Sequence, residues 1–218
     1  MSNDLNELRS SRTRVFRAAL WGAVLVALAG YAILVSVEWY SGKGTGEASY
    51  SGEADVRSEF SLINHTGRDV TEADFSDRWQ LVFFGFTHCP DICPTTLAYM
   101  ASALDILGER ADQVAPLFIT VDPARDTVHV MAEYVSAFHP RLIGLTGSEA
   151  QVAEAAASFR TWYERAEDKS APDGYLMAHA GYIYLMGPDG RFEAVFQERG
   201  QPPEELAEEI AMRIEKGN

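Results

Sequence analysis

The chain holds two cysteines, Cys89 and Cys93, in the run Gly85-Phe86-Thr87-His88-Cys89-Pro90-Asp91-Ile92-Cys93-Pro94. Two thiols with three residues between them can close a disulfide, converge on one soft metal ion, or staple a loop. The usual dithiol oxidoreductase spacing has two intervening residues. One more widens the bite and leaves redox chemistry open. A thiolate pair suits Cu(I) or Zn(II). A closed zinc site normally takes four ligands, so zinc would need two further donors, whereas copper(I) needs only one. The five histidines are His65, His88, His129, His139 and His179. His88 is next to Cys89, and neighbouring side chains generally point apart. His65 falls in a turn and reads as solvated. His129 and His139 fall in or at the end of a helix and read as surface residues. His179 lies between an irregular stretch and an apolar strand. By itself it reads as a surface or hydrogen-bonded residue, with a ligand role as the alternative.

The elements around the cysteines explain why they would be exposed to chemistry. Leu81-Val82-Phe83-Phe84 before them reads as a buried strand. Pro94-Thr95-Thr96-Leu97 after them reads as a helix opening, with Pro94 at the first helical position, where a missing N–H costs little. That places Cys93 near free N–H groups and the positive end of a helix dipole, which favour a thiolate. Leu97, Met100, Ala101, Leu104 and Leu107 continue the helix with one apolar stripe. Leu117 to Val121 is a second buried strand, and it ends at Asp122-Pro123-Ala124-Arg125-Asp126-Thr127. A helix over Met131 to Phe138 and a strand at Leu142 to Leu145 follow, then a helix over Val152 to Phe159. Residues 169–177 read as irregular. Gly187-Pro188-Asp189-Gly190 joins two strands of a hairpin, and a helix over Leu206 to Ile214 closes the chain. Phe60 to Asn64 is a further strand candidate, followed by a turn at 64–68.

This alternation predicts an α/β sheet with helices on both faces. Ligands in such sheets bind beyond the carboxyl ends of the strands. The cysteine loop and the loop carrying Asp122, Arg125 and Asp126 leave that edge together. These three residues are candidates to support or dock at the site, with a turn-fixing salt bridge as the alternative. Asp91, between the cysteines, either tunes thiolate charge, touches a partner, or is simply solvated.

Residues 18–37 contain no charged side chain. Twenty helical residues span about 30 Å, the hydrocarbon thickness of a bilayer. Trp21 lies near one end, and Trp39 and Tyr40 lie past the other. Arg9, Arg12, Arg14 and Arg17 precede the run and Glu38 follows it, so residues 1–17 are predicted on the cytoplasmic side. Ala27-Leu28-Ala29 offers a rival reading as a signal-peptidase site, but the apolar run continues past it. Residues 38–56, rich in Gly and Ser, read as a flexible linker, and residues 57–218 as one domain. The formal net charge is −14, which argues against a nucleic-acid partner. Four of the 18 basic residues but only two of the 32 acidic ones precede the apolar run, so the domain carries the acidic excess. That excess serves solubility or docking on a basic partner.

Three blocks in order resemble the SCO/SenC family. The first is Phe83 to Pro94, the second Val121 to Thr127, and the third His179 with Tyr184-Leu185-Met186-Gly187-Pro188-Asp189-Gly190. The resemblance covers roughly residues 57–215. It implies a thioredoxin-like (peroxiredoxin-like) domain behind an N-terminal transmembrane helix. It also implies copper, as Cu(I) or Cu(II), held by Cys89, Cys93 and His179. The implied role is assembly of the dinuclear copper site in cytochrome c oxidase subunit II, with other copper chaperones or thioredoxin-like reductants as further partners. Ala180 departs from the small hydroxyl residue many relatives carry there, which puts a supporting hydrogen bond from that side chain in doubt. Two alternatives stand beside the copper chaperone. One is a thiol–disulfide oxidoreductase using Cys89 and Cys93 to reduce the oxidase cysteines. The other is a thiol peroxidase or redox sensor. The short segment before the apolar run leaves little room for a mitochondrial targeting peptide, so a bacterial inner membrane with the domain in the periplasm is expected.

Overall fold

The computed structural model describes residue 31 and residues 56–217, apart from 170, 172 and 199. Almost all of the predicted membrane span and all of its cytoplasmic flank lie outside the described residues. Among the described residues no helix is long and apolar enough to cross a membrane.

The strands are β1 (Ser61–Asn64), β2 (Asp69–Thr71), β3 (Trp79–Gly85), β4 (Val114–Thr120), β5 (Ile143–Thr146), β6 (Tyr163–Glu167), β7 (Tyr175–His179), β8 (Ile183–Met186) and β9 (Phe192–Phe196). The helices are α1 (Ile92–Leu107), α2 (Val128–Ser136), α3 (Glu149–Ser158) and α4 (Pro203–Gly217). Seven strands form one sheet in the order β2-β1-β5-β4-β3-β8-β9. β3, β4 and β5 run parallel at its centre, and β1 and β8 flank them antiparallel.

β3 and β4 are buried along their whole length, which is why both read as unbroken apolar runs without alternation. Successive residues of β3 point to opposite faces. Phe83 stacks with Phe118, and Gly85 faces Cys93 of α1. Phe84 turns the other way, onto Phe159 at the end of α3 and Tyr184 of β8. Helices therefore cover both faces, as the sequence predicts. Asn64 builds the predicted turn after β1, its side-chain oxygen accepting from the Thr66 and Arg68 N–H groups.

Two expectations need correction. Residues 175–177 are not irregular: they belong to β7, which pairs antiparallel with β6 from Tyr163↔His179 to Glu167↔Tyr175. This hairpin is a separate two-stranded sheet. β6 is mostly exposed and charged, so it shows no apolar alternation from which a strand could be read. α1 also starts earlier than predicted, at Ile92. Pro94 is then the third helical residue, still within the first turn, where N–H groups have no partner inside the helix.

Candidate metal centre

Cys89, Cys93 and His179 converge at the carboxyl edge of the parallel strands. Their sulfurs and a ring nitrogen all lie within 4.8 Å of one another. Each comes from a different kind of support. Cys89 is in the loop that leaves β3, its N–H donating to the Phe86 carbonyl at 3.3 Å. Cys93 is the second residue of α1 and is completely buried. His179 is the last residue of β7.

His179 is held in one orientation. Its Nδ1 lies 3.1 Å from the Ala180 carbonyl oxygen. A carbonyl only accepts, so Nδ1 donates there and Nε2 is the ring nitrogen turned to the sulfurs. Nε2 sits 3.4 Å from Cys93 Sγ. The doubt raised by Ala180 is thereby answered: the ring is oriented by the backbone of that residue, which needs no hydroxyl. Phe83 and Phe86 meet the imidazole edge-on, with centroids 6.0 and 5.8 Å away.

The two thiols differ in character. The Cys93 thiol hydrogen bond to Cys89 is the largest influence on Cys89. With the His179 ring and the Asp91 and Cys93 N–H groups, it outweighs burial and lowers the Cys89 pKa to about 4. The Cys93 N–H lies 3.4 Å from Cys89 Sγ. Cys93 moves the opposite way, pushed up by donating to Cys89 and by its own burial. The sequence assigned the thiolate-favouring helix terminus to Cys93; the structure assigns it to Cys89. Cys93 is already inside α1 and points into the core, while Cys89 precedes the helix and lies over its free N–H groups.

Gly85 makes room for this arrangement. A Cβ there would lie 2.8 Å from Cys93 Sγ and 2.9 Å from Phe118. Asp126, fully buried, ties the cysteine loop to β4. It accepts from the Thr87 N–H at 3.0 Å, the Thr87 hydroxyl at 2.6 Å and the Thr120 hydroxyl. Burial raises its pKa, and these hydrogen bonds offset part of the rise. Asp122 pairs with Arg125 and accepts from the Tyr175 hydroxyl at 3.1 Å. The turn-fixing salt bridge is present, and through Tyr175 it also reaches the hairpin that carries His179. Asp91 is exposed, and its side chain caps nothing.

The other histidines stand apart from the cluster. His88 is exposed, with Nδ1 3.1 Å from the Thr87 hydroxyl. His129 is exposed beside Glu133. His65 and His139 are not simply solvated as expected. His65 accepts from the Gly144 N–H at 3.1 Å. His139 is nearly buried, with Nε2 3.4 Å from Asp105. Gly85, Phe86, Thr87 and Tyr175 are the site residues that sequence reasoning did not single out. A glycine ending an apolar strand four residues before the first thiol is the one signal that marks any of them.

Two thiols and an oriented imidazole at this edge of an α/β sheet define a thioredoxin-like protein with a soft-metal or dithiol centre. Metal–sulfur and metal–nitrogen bonds of about 2.3 and 2.0 Å put two donors on one ion at most about 4.6 Å apart. The observed set, with no pair more than 4.8 Å apart and one at 3.4 Å, is within reach of a single ion. The chain belongs to the SCO1/SenC family, whose sequence profile matches residues 48–215. It is 41% identical over 202 residues to the mitochondrial SCO2 homolog of Bos taurus, covering 91% of this chain and 74% of that protein. It is 30% identical over 208 residues to the SCO2-like protein of Rickettsia felis, covering 95% and 98%. Its fold superposes on Arabidopsis thaliana ScoI with copper bound at a TM-score of 0.69 and 40% identity, over 74% of this chain and 99% of that one.

Proposed function

We propose that this protein binds one copper ion through Cys89, Cys93 and His179 and delivers it to cytochrome c oxidase, at the dinuclear site of subunit II. The observation that carries the reading is the convergence of two sulfurs and an imidazole nitrogen within 4.8 Å. Copper is the cargo. At neutral pH Cys89 is a thiolate, Cys93 gives up its proton as the ion arrives, and His179 Nε2 is the third donor. Delivery proceeds by ligand exchange with partner cysteines. We place the protein in a membrane through residues 18–37, with 1–17 cytoplasmic, 38–56 a linker and 57–218 on the opposite side, which in a bacterial inner membrane is the periplasm. The uncharged run and the four arginines before it support that placement.

The test is copper stoichiometry of the reduced full-length protein in detergent, beside His179→Ala. One ion per chain in the wild type and weakened retention in the variant is the expected result. Unchanged retention would remove His179 from the site, and no uptake by either protein would end the reading. Oxidase with normal copper content in cells lacking the protein, grown at low copper, would contradict the delivery step.

The unequal thiols favour one second reading, reduction of the oxidase cysteines. Cys89 thiolate would attack one sulfur of the partner disulfide and release the other as a thiolate, which takes up a proton. Cys93, losing its own proton, would then attack Cys89 Sγ. The partner leaves fully reduced, and this protein keeps the Cys89–Cys93 disulfide. Metal-free reduced protein that transfers no electrons to an oxidised subunit II peptide would refute it.

A further inference from the structure

His179 is carried by the β6–β7 hairpin, which no ladder joins to the seven-stranded sheet among the described residues. Something other than strand pairing must fix the height and angle of this arm. Tyr175 begins β7, four residues and about 13 Å before His179. Its buried ring lies between two guanidinium groups. Arg165 of β6 covers one side at 3.7 Å, and Arg125, from the loop between β4 and α2, lies 3.9 Å from the ring centre. Arg125 also lies 5.8 Å from the ring of Phe86, and Phe86 in turn meets His179 edge-on at 5.8 Å. The result is a continuous pile: Arg165 and Tyr175 from the arm, Arg125 and Phe86 from the body, His179 from the arm again.

Hydrogen bonds fix the same joint. Arg125 Nε pairs with buried Asp122, and Nη1 reaches the Tyr175 carbonyl and Asp173 at 3.4 Å each. The Tyr175 hydroxyl returns to Asp122 at 3.1 Å. The buried Nη2 has no hydrogen-bond partner among the described residues. A buried donor left unpaired is costly and calls for an explanation. Stacking supplies it here, because the guanidinium plane is placed for the two rings at the expense of one donor.

We propose that Arg125, acting with Tyr175 and Asp122, is a positioning residue. It clamps the β6–β7 arm to the sheet so that His179 Nε2 meets the two sulfurs, and it thereby sets copper retention. The copper half of this inference rests on the function proposed above; the positioning half does not.

The experiment is a double-mutant cycle of Arg125→Ala and His179→Ala in the full-length protein, read by competition with a copper chelator and by the imidazole nitrogen coupling in the Cu(II) electron paramagnetic resonance spectrum. Arg125→Ala should weaken retention at least tenfold and lose the nitrogen coupling, yet cause no further loss when His179 is already alanine. An equal loss in both backgrounds, or none in either, would overturn the proposal. In the metal-free protein, nuclear magnetic resonance of the His179 ring protons, shifted by Phe83 and Phe86, should move toward solvent values in Arg125→Ala. Unchanged shifts would overturn the clamp whether or not the wild type takes up copper. Should Arg125→Ala fail to fold, Tyr175→Phe, which removes only the bond to Asp122, goes through the same cycle with the same deciding outcomes. Arg125→Lys, which keeps the charge but not the planar fork, should not restore the wild-type spectrum.

Discussion

Substituting Gly85 with alanine tests whether the sheet is shaped around the buried sulfur. The added Cβ would stand 2.8 Å from Cys93 Sγ, 2.9 Å from Phe118 and 3.2 Å from Phe83. Nonbonded carbon contacts are comfortable at about 3.5–4.0 Å, so Cys93 and Phe118 must withdraw by about half an ångström or more and Phe83 by a few tenths. None is the free end of a flexible chain. Phe83 and Phe118 are completely buried and stacked on each other, and Cys93 belongs to the first turn of α1. Overpacking of this kind costs about 1–3 kcal/mol. For a domain of this size about 2 kcal/mol corresponds to a fall in Tm of about 4–8 °C. The sulfur is the lightest of the three obstacles, and moving it disturbs its 3.4 Å approach to His179 Nε2. Copper retention should therefore fall together with Tm. The assay is thermal unfolding of metal-free Gly85→Ala beside chelator competition of the loaded protein. A lowered Tm with unchanged retention would show that the sheet yields on the Phe118 side and would refute the assignment of Gly85 to the sulfur. A Tm within about 1 °C of wild type would refute the packing argument as well.

Three further outcomes follow from the geometry. Because the Cys89 pKa is lowered to about 4, the fold favours its thiolate, and that preference disappears as pH falls through this value. Alkylation of one thiol per chain by iodoacetamide should hold its rate down to about pH 5, and an inflection near the ordinary thiol value of about 8.5 would contradict this. Since Cys93 is the one of the two thiols that still carries its proton at pH 7, copper binding should release about one thiol proton per ion. Calorimetry in buffers of different ionisation enthalpy reads this, and two protons would mean that Cys89 starts as a thiol. Asp126→Ala removes the acceptor shared by Thr87 and Thr120. It should cost about 1–3 kcal/mol in denaturant unfolding, and an unaltered midpoint would show that water replaces the carboxylate.

The central strands were legible because burial on both faces writes itself as unbroken apolar runs, as in Leu81-Val82-Phe83-Phe84. The β6–β7 hairpin was not, because its strands are held by backbone pairing and by side chains from elsewhere, and Glu164, Arg165 and Glu167 mask any apolar period. The three metal donors were named from the sequence only through family resemblance. Spacing alone joined Cys89 to Cys93, and nothing local linked them to a histidine 86 positions later. The direction of the thiol asymmetry was misread for a geometric reason. Proximity to a helix terminus in sequence does not say which sulfur lies over the free N–H groups. The sequence leaves the roles of Asp122 and Arg125 open, because the placement of Tyr175 between the two arginines is a contact across some 50 residues that no linear pattern encodes.

The unequal exposure of the two sulfurs gives the site a front and a back. Cys93 is sealed beneath α1 and Gly85, while Cys89 is half-exposed on its loop. An incoming nucleophile therefore has one side from which to approach. Of the three donors only Cys93 is buried; Cys89 and His179 are both partly exposed. In the handover proposed above, a partner thiol would meet the ion from the Cys89 and His179 side, and the bond to buried Cys93 would be the last to break.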